Sequence, residues 1–476
     1  MIEIKTLNTG DVFGVKLEKQ NVFYPCQILG IDLENTERIA VVLMNYFNEN
    51  IPTIEDLKTI KPLIKNHHNW KDETMAFWTS TVEFEQLTFI GNIKPIYNMT
   101  EVNDNDRIFN QFQTELQFLW QKLPDEKIKQ YKEAKKSEVR QPTKVFIEEQ
   151  KDKSFWKSLN SLPCLSNMSC TYWHDELLEY VAQNPLISEL EIRNAKLSTL
   201  DLSKTGVQKL LLDATNVENI ILSKDVQFLN LFGDCSKLKN ITDIFSGKYV
   251  RLFISQQKIL PKFSGFEELE TFSMVCKEIN IKRIVDQFKN LRNLTLWGET
   301  GKLSNILDLQ GLKNLEYLTI YDAYGFNDFP RKEQLPNLCN LTLTGITKTA
   351  GLKAKKEFTK INPYIKQLRD EEWLKANLDN PFNKWDGRDG TKPASAKKAM
   401  KNYTETYKKL QKKGITKEEI KEILFNFINI FNGMDKKNSI DTIEREEIWD
   451  VFKQLTKLTN LTHKESEDLF ETTRDF

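Results

Sequence analysis

The chain lacks most of what marks a broad function class. Its 68 Lys and Arg residues balance 68 Asp and Glu, so the formal net charge is zero. No overall field then favours nucleic acid or a membrane surface as partner. No stretch comes near the ~18 consecutive apolar residues that a spanning helix needs. The opening residues, MIEIKTLNTGDVFGVKL, carry no apolar core of a secretion signal and no small-residue cleavage site. A cytoplasmic protein without a membrane partner is the expectation. The phosphate-cradling pattern G-x-x-x-x-G-K-[ST], a G-x-G-x-x-G opening a helix, H-E-x-x-H and G-x-S-x-G are all missing. There are only four histidines, which narrows acid–base designs without closing off carboxylate ones. No cofactor is expected, and nothing argues for an enzyme.

Cysteine is sparse as well. The six cysteines form no C-x-x-C pair. Cys164, Cys170 and His174 make a C-x5-C-x3-H cluster, but no second ligand pair lies nearby. Free thiols in a reducing compartment are expected rather than a zinc site, and no metal is assigned. Asn98-Met99-Thr100 and similar sequons reflect an Asn-rich composition when no secretion signal precedes them.

A length of 476 residues suggests about three domains. The 39% hydrophobic and 29% charged fractions are those of a globular chain with sizeable cores. What the chain does have is a recurring apolar triplet. ISELEI begins at Ile187, VQFLNL at Val226 and YVRLFI at Tyr249; LETFSM, LRNLTL, LEYLTI and LCNLTL follow at Leu269, Leu291, Leu315 and Leu338. With LLL at 210–212, the anchors are Leu190, Leu210, Leu229, Leu252, Phe272, Leu294, Leu318 and Leu341, at steps of about 20–24 residues. Triplets near Leu197 and Val217 are half-period echoes.

The pattern resembles leucine-rich repeats over residues 186–350. That resemblance implies stacked coils, each unable to bury its leucines alone. The echoes imply strands on both faces of the first turns, and KRIVDQFKN at 282–290 a helical segment in a later one. Alternation then sets which side chains face outward. Phe228, Phe232, Arg251, Phe253, Trp297, Tyr317 and Tyr321 fall on that face and are the candidate partner-binding residues. Large aromatics there are what interface anchors look like. Eight strands at ~4.8 Å make a ladder of roughly 35–40 Å, enough for a standard protein interface.

Residues 1–98 read differently. Period-two apolar runs occupy 11–17, 23–31, 38–47, 75–82 and 88–94, with one helical segment at 53–60. This is a small, mainly-β domain. Its GDVF at Gly10–Phe13, the aromatic-x-x-Q-I-L-G run at Tyr24–Gly30, and FIGNIKP at Phe89–Pro95 resemble the immunity protein 26 family. Gly10, Asp11, Phe13, Gln27 and Gly91 carry the match, which covers about a fifth of the chain. The resemblance implies a bacterial protein that binds and blocks a cognate toxin. His67, His68 and Trp70 read as a solvated loop, because no further ligand spacing supports a metal or an acid–base pair.

The domain boundaries follow from these textures: 1–98 mainly β, 99–185 a helical connector and cap, 186–350 the repeats, and 351–476 helical. RIFNQFQTELQFLWQKL (107–123) carries an amphipathic stripe, EKIKQYKEAKKSEVR (126–140) is polar, and CTYWHDELLEYVAQNP (170–185) reads as the cap. Asp175, Glu176 and Glu179 beside His174 are ordinary complements to a helix N-terminus. Asp386 and Asp389 lack the other ligands of a calcium loop. Capping boxes at Thr416…Glu419, Asp441…Glu444 and Thr462…Glu465 open C-terminal helices.

Residues 353–413 hold about 17 basic and 8 acidic residues, and 414–476 about 9 and 14. The acidic tail offers the basic stretch an internal partner and aromatics are few, so nucleic acid is not expected. The reading is a multidomain α+β protein: a mainly-β N-terminal domain, a leucine-rich-repeat solenoid and a helical C-terminal domain. It binds a protein partner, a toxin by the N-terminal resemblance. A repeat scaffold unrelated to toxins, or an enzyme with an unrecognised carboxylate site, stays open.

Overall fold

The computed structural model describes residues 7–32, 38–68, 70–84, 87–106, 111–136, 141–388, 390–435 and 440–476. The chain forms two compact units, Met1–Asp213 with Ile220–Leu229, and Ala214–Asn219 with Asn230–Phe476.

The first unit opens with short strands: β1 (Asp11–Leu17), β2 (Val22–Ile31), β3 (Arg38–Leu43), β4 (Ile64–Lys65), β5 (Glu73–Thr74), β6 (Ala76–Ser80), β7 (Thr88–Asn92) and β8 (Asn103–Asp106). Six of them make one sheet in the order β7-β1-β2-β3-β6-β8. Its pairings are antiparallel except β6 with β8. Successive side chains point to opposite faces, and here both faces are covered. Phe13, Val15 and Leu17 join Tyr24, Cys26, Ile28 and Val41 in one cluster; Val12 with Met44, and Ala40 with Val42, fill clusters of their own.

Helix α1 (Ile54–Leu57) starts at a capping box between Thr53 and Asp56. Helices α2 (Gln111–Gln121) and α3 (Asp125–Lys135) follow, and Phe118 of α2 completes the largest of the three clusters. Of the expected α2 stripe, Ile108 and Phe109 lie outside the described residues.

The residues that carry the immunity-protein resemblance hold this sheet together. Gln27 is fully buried, donates from Nε2 to the carbonyls of Ile93 and Lys94, and accepts from the Ile96 amide. Asp11 accepts from the Asn8 amide and the Asn92 side chain. Gly10 has φ of +93°, which a side chain would strain.

The second sheet is where the expectation needs correcting. Strands β9 (Lys144–Ile147), β10 (Asn167–Cys170), β11 (Glu189–Ile192), β12 (Thr199–Asp201), β13 (Lys209–Asp213), β14 (Asn219–Ile221), β15 (Phe228–Phe232) and β16 (Asn240–Thr242) come first. β17 (Arg251–Gln257), β18 (Thr271–Cys276), β19 (Glu278–Asn280), β20 (Asn293–Ser304), β21 (Tyr317–Tyr324), β22 (Asn340–Thr344) and β23 (Tyr364–Lys366) complete them. Twelve of these form one parallel sheet, β23-β22-β21-β20-β18-β17-β15-β13-β11-β10-β9, with β19 beside β20. The remaining β12, β14 and β16 form a separate three-stranded sheet.

The fold is therefore α+β, with an antiparallel N-terminal sheet, a large parallel sheet and a helical C-terminus. It is not a leucine-rich-repeat solenoid over 186–350. The physical reason lies at the sheet's ends and in its connections. Backbone pairing needs no leucine triplet, so KVFI (β9), NMSC (β10) and YIK (β23) join the same ladder outside the expected bounds. The connections also follow no constant unit: some carry a short strand, one carries helix α6 (Ile281–Gln287), others a single 3-10 turn. The expected cap at 170–185 is likewise not terminal. Cys170 ends β10, helix α4 (Lys153–Ser158) precedes it, and only Leu177–Gln183 is helical, as α5.

Within the sheet the register aligns the anchors: Leu190 opposite Leu210, Phe272 opposite Leu252 and Leu294, and Leu318 opposite Leu294 and Leu341. Each is at most 2% exposed, which makes this row the sheet's inner layer. After the sheet come α7 (Lys348–Glu357), α8 (Glu371–Asn377), α9 (Pro393–Leu410), α10 (Lys417–Asp435), α11 (Thr442–Thr456) and α12 (His463–Thr473). The last four close around Phe382, Trp385, Phe427, Phe431, Phe452 and Phe470. All three expected capping boxes are present.

Candidate protein interface

The outward positions of the parallel sheet fall into two stretches. On β10, β11 and β13 of the first unit they are mostly polar and bonded to one another, with Leu211 the apolar exception. Glu191 pairs with Arg193 at 2.6 Å and with Lys144 at 3.6 Å, and accepts from the Ser169 hydroxyl at 2.8 Å. Glu189 pairs with Lys209 at 3.3 Å and accepts from the Asn167 amide. Burial opposes ionisation of Glu191, yet hydrogen bonds from Ser169 and Arg193 with the Arg193 and Lys144 charges hold its carboxyl below the usual range.

On β17 to β22 of the second unit the outward row is aromatic and hydroxylic. Phe253 meets Trp297 edge-on with ring centroids 6.0 Å apart, and Trp297 stacks on Tyr321 at 6.0 Å and 19°. Trp297 stands directly opposite Val275 on one side and Tyr321 on the other. Ser273 and Val275, the small outward residues of β18, leave room for Phe253 to reach across that strand. All three rings remain half-buried, while the leucines beneath them are sealed. The rings are therefore not needed to close the core.

Of the seven sequence-derived candidates, the structure joins these three. Tyr317 lies on β21 four residues before Tyr321 and is 41% exposed. Arg251 is exposed at the start of β17. Phe228 and Phe232 sit half-buried at the two ends of β15.

Sequence reasoning missed the backbone at the strand ends beside the rings. Glu299, Thr300, Asp322 and Gln367 all have positive φ, between +49° and +62° for the first two and +47° and +54° for the others. Non-glycine residues rarely adopt this region, and such positions cluster at functional sites. Gly298, directly after Trp297, lets the Asp322 carbonyl approach where a Cβ would collide. The W-G-E-T-G spacing at 297–301 was the legible signal. Burial pushes the Asp322 carboxyl up from its ordinary value, against the charges of Lys384 and Arg369.

Of the expected solvated loop, Trp70 is 43% exposed but the two histidines are not solvated. His67 is 3% exposed, and its backbone amide donates to the Gln117 side chain. Its Nε2 lies 3.3 Å from the Gln113 side-chain Oε1, and its Nδ1 lies 3.1 Å from the His68 Nδ1. His68 packs on Trp120. Burial pushes both imidazoles down to about 4, so both are neutral at physiological pH. The contacts that bury them come from α2 and α3, distant in sequence.

A second joint in the first unit is polar and buried. Glu115 of α2 accepts from Gln20 at 2.7 Å and Gln227 at 2.5 Å and faces Lys19 at 3.9 Å; Lys19 donates to the Val226 carbonyl. A cleft of about 370 Å³ lies alongside, lined by His68, Phe118, Trp120, Lys122, Lys224 and Asp225 among others.

The six cysteines are free thiols. Cys164 donates to the Tyr131 carbonyl, and burial with the Glu191 charge pushes Cys170 up to about 12. Neither thiol presents a ready ligand. Among the described residues no group of three or more His, Cys, Asp or Glu side chains could hold a metal, and no helix is long and apolar enough to cross a membrane. Asp389 of the acidic loop lies outside the described residues. No protein-family model and no curated protein matches the chain.

Proposed function

We propose that this protein is a non-enzymatic binding module that captures a partner protein on the outward aromatic row of its parallel sheet. The observation that carries the reading is the Phe253–Trp297–Tyr321 cluster, half-exposed above an inner layer that is already filled. Clustered, partly desolvated Trp and Tyr are the residues most often found to dominate binding energy. Tyr317, Arg251 and Phe232 belong to the same unit as the cluster. The resemblance of residues 1–98 to the immunity protein 26 family favours a toxin as the partner and steric occlusion as the mechanism. The five residues carrying that resemblance are occupied in holding the N-terminal sheet, which leaves the aromatic row as the better-supported anchor.

The test is capture of a toxin encoded beside this gene, by wild type and by the Trp297→Ala/Tyr321→Ala double variant. Losing two hot-spot rings costs about 2 kcal/mol or more each, so binding should weaken at least 100-fold and rescue of toxin-expressing cells should fail. Undiminished capture by the double variant removes the aromatic row as the site. Wild-type protein that neither binds nor rescues removes the toxin assignment.

A further inference from the structure

The sequence offered the basic stretch an internal partner in the acidic tail; the structure joins the two at Arg388 and Glu447, and among the described residues no such pair reaches the lysines of helix α9. On α9, Lys397, Lys398, Lys401, Lys408 and Lys409 are all exposed. At 100° per residue they share an arc of about 120° along a helix roughly 27 Å long. Ala396, Ala399, Met400, Thr406 and Leu410 occupy the other side and are buried. Lys412 and Lys413 continue the row beyond the helix, also exposed.

Among the described residues, the row's one ion pair is Lys401 with Glu405, at 3.7 Å and with both side chains mostly in solvent. Such a pair contributes little. Five acids of α11 and α12 are engaged away from this row. Glu447 binds Arg388 and Trp385, Glu444 binds Thr391, Glu465 binds Lys417, Asp450 binds Lys453 and Glu471 binds Arg474. Repulsion between the lysines is thus left in place along one face.

We propose that the α9 lysine row binds the phosphate backbone of a nucleic-acid duplex without reading its bases. Three features select that occupant. Every exposed side chain from 397 to 409 on this face is charged, so no aromatic or aliphatic anchor is available to a protein, and lysine is depleted from protein interfaces. Tyr403 and Tyr407, which could stack on bases, instead pack against the helical core. The apolar side of α9 is buried in the same core, so the helix cannot lie in a lipid surface as interfacial helices do. What remains is a linear array of point charges, the chemistry that matches a phosphate ribbon. This function is independent of the aromatic row.

The test is fluorescence anisotropy of a labelled duplex of arbitrary sequence, titrated with the full-length protein. Five contacts give a slope of log affinity on log salt of about −4.5, so affinity should fall about 500-fold between roughly 50 and 200 mM salt. The variant K397Q/K398Q/K401Q/K408Q/K409Q should lose binding at the lower salt, and W297A/Y321A should bind as wild type does. K401Q and K408Q alone should each lower the slope by about 1, which keeps the test decisive if the fivefold variant misfolds. No duplex binding by wild type at ~50 mM salt, or equal binding and slope in the variants, overturns the proposal. So does tighter binding of a poly-glutamate peptide or of phosphatidylserine vesicles than of the duplex, since either would assign the row to a different partner.

Discussion

On β10, β11 and β13 the outward side chains are mostly polar or charged and close on one another, Leu211 apart, with Glu191 and Glu189 each satisfied by a neighbouring strand. On β17, β20 and β21 the equivalent positions hold Phe253, Trp297 and Tyr321, which touch one another and are still half in water. Both stretches share the same backbone pairing and the same buried leucines beneath. Self-paired charges have spent their interactions within the sheet and gain little from a partner. Rings above a filled layer retain apolar surface whose burial is favourable only when something else covers it. The comparison is why the proposed binding is assigned to the side chains laid over the sheet rather than to the sheet itself.

Three measurements sharpen or break that comparison. The largest effect should come from beneath the rings. Leu318→Ala removes a fully buried anchor and should cost about 2–5 kcal/mol in urea unfolding. A small cost there would mean the inner layer is loosely packed and the rings are needed to close it.

Acid should act next, and on the first unit. His67 and His68 are held near 4, below their ordinary 6.5, by burial. Below pH 6.5 the unfolded chain takes up protons that the folded chain refuses, so stability falls as pH drops from about 6.5 towards 4. The aromatic stretch has no such pair; burial raises Asp322, whose protonation favours the folded form. Amide exchange read segment by segment at pH 7.5 and 5, and expressed as protection relative to the intrinsic rate at each pH, should therefore show protection lost around residues 64–75 and 111–135 before the β20–β22 strands. The reverse order would contradict the neutral burial of the two imidazoles.

The smallest effect should be Glu191→Gln. Its partners are partly exposed surface charges, so the loss should stay within about 1 kcal/mol, and partner capture should not change. A fall in capture would place binding on the charged stretch instead.

Much of the local structure was legible. Alternation marked the five apolar runs of the N-terminal sheet, because a two-residue period is written directly into the side chains. The leucine anchors marked the inner layer of the parallel sheet for the same reason, and the capping boxes marked the C-terminal helices. The architecture was not legible from the triplets, because strands such as NMSC and YIK join by backbone hydrogen bonds that no side-chain pattern announces. Placement of His67 and His68 failed similarly: their burial comes from Gln113, Gln117 and Trp120 on a helix some 50 residues away. The acidic tail was a partial guide: Glu447 does pair with Arg388, but composition gives total charge and not which carboxylates reach the lysines of α9.

The central claim is that Phe253, Trp297 and Tyr321 are a surface for something else and not part of what holds the protein folded. Equilibrium urea unfolding of Trp297→Ala/Tyr321→Ala, run beside Leu318→Ala, asks this most directly. The double variant breaks two ring contacts, Phe253–Trp297 and Trp297–Tyr321, at about 0.5–1.5 kcal/mol each, so a loss of about 1–3 kcal/mol is expected, smaller than that of the leucine variant. A loss equal to or above that of Leu318→Ala would make the rings part of the core and contradict the claim.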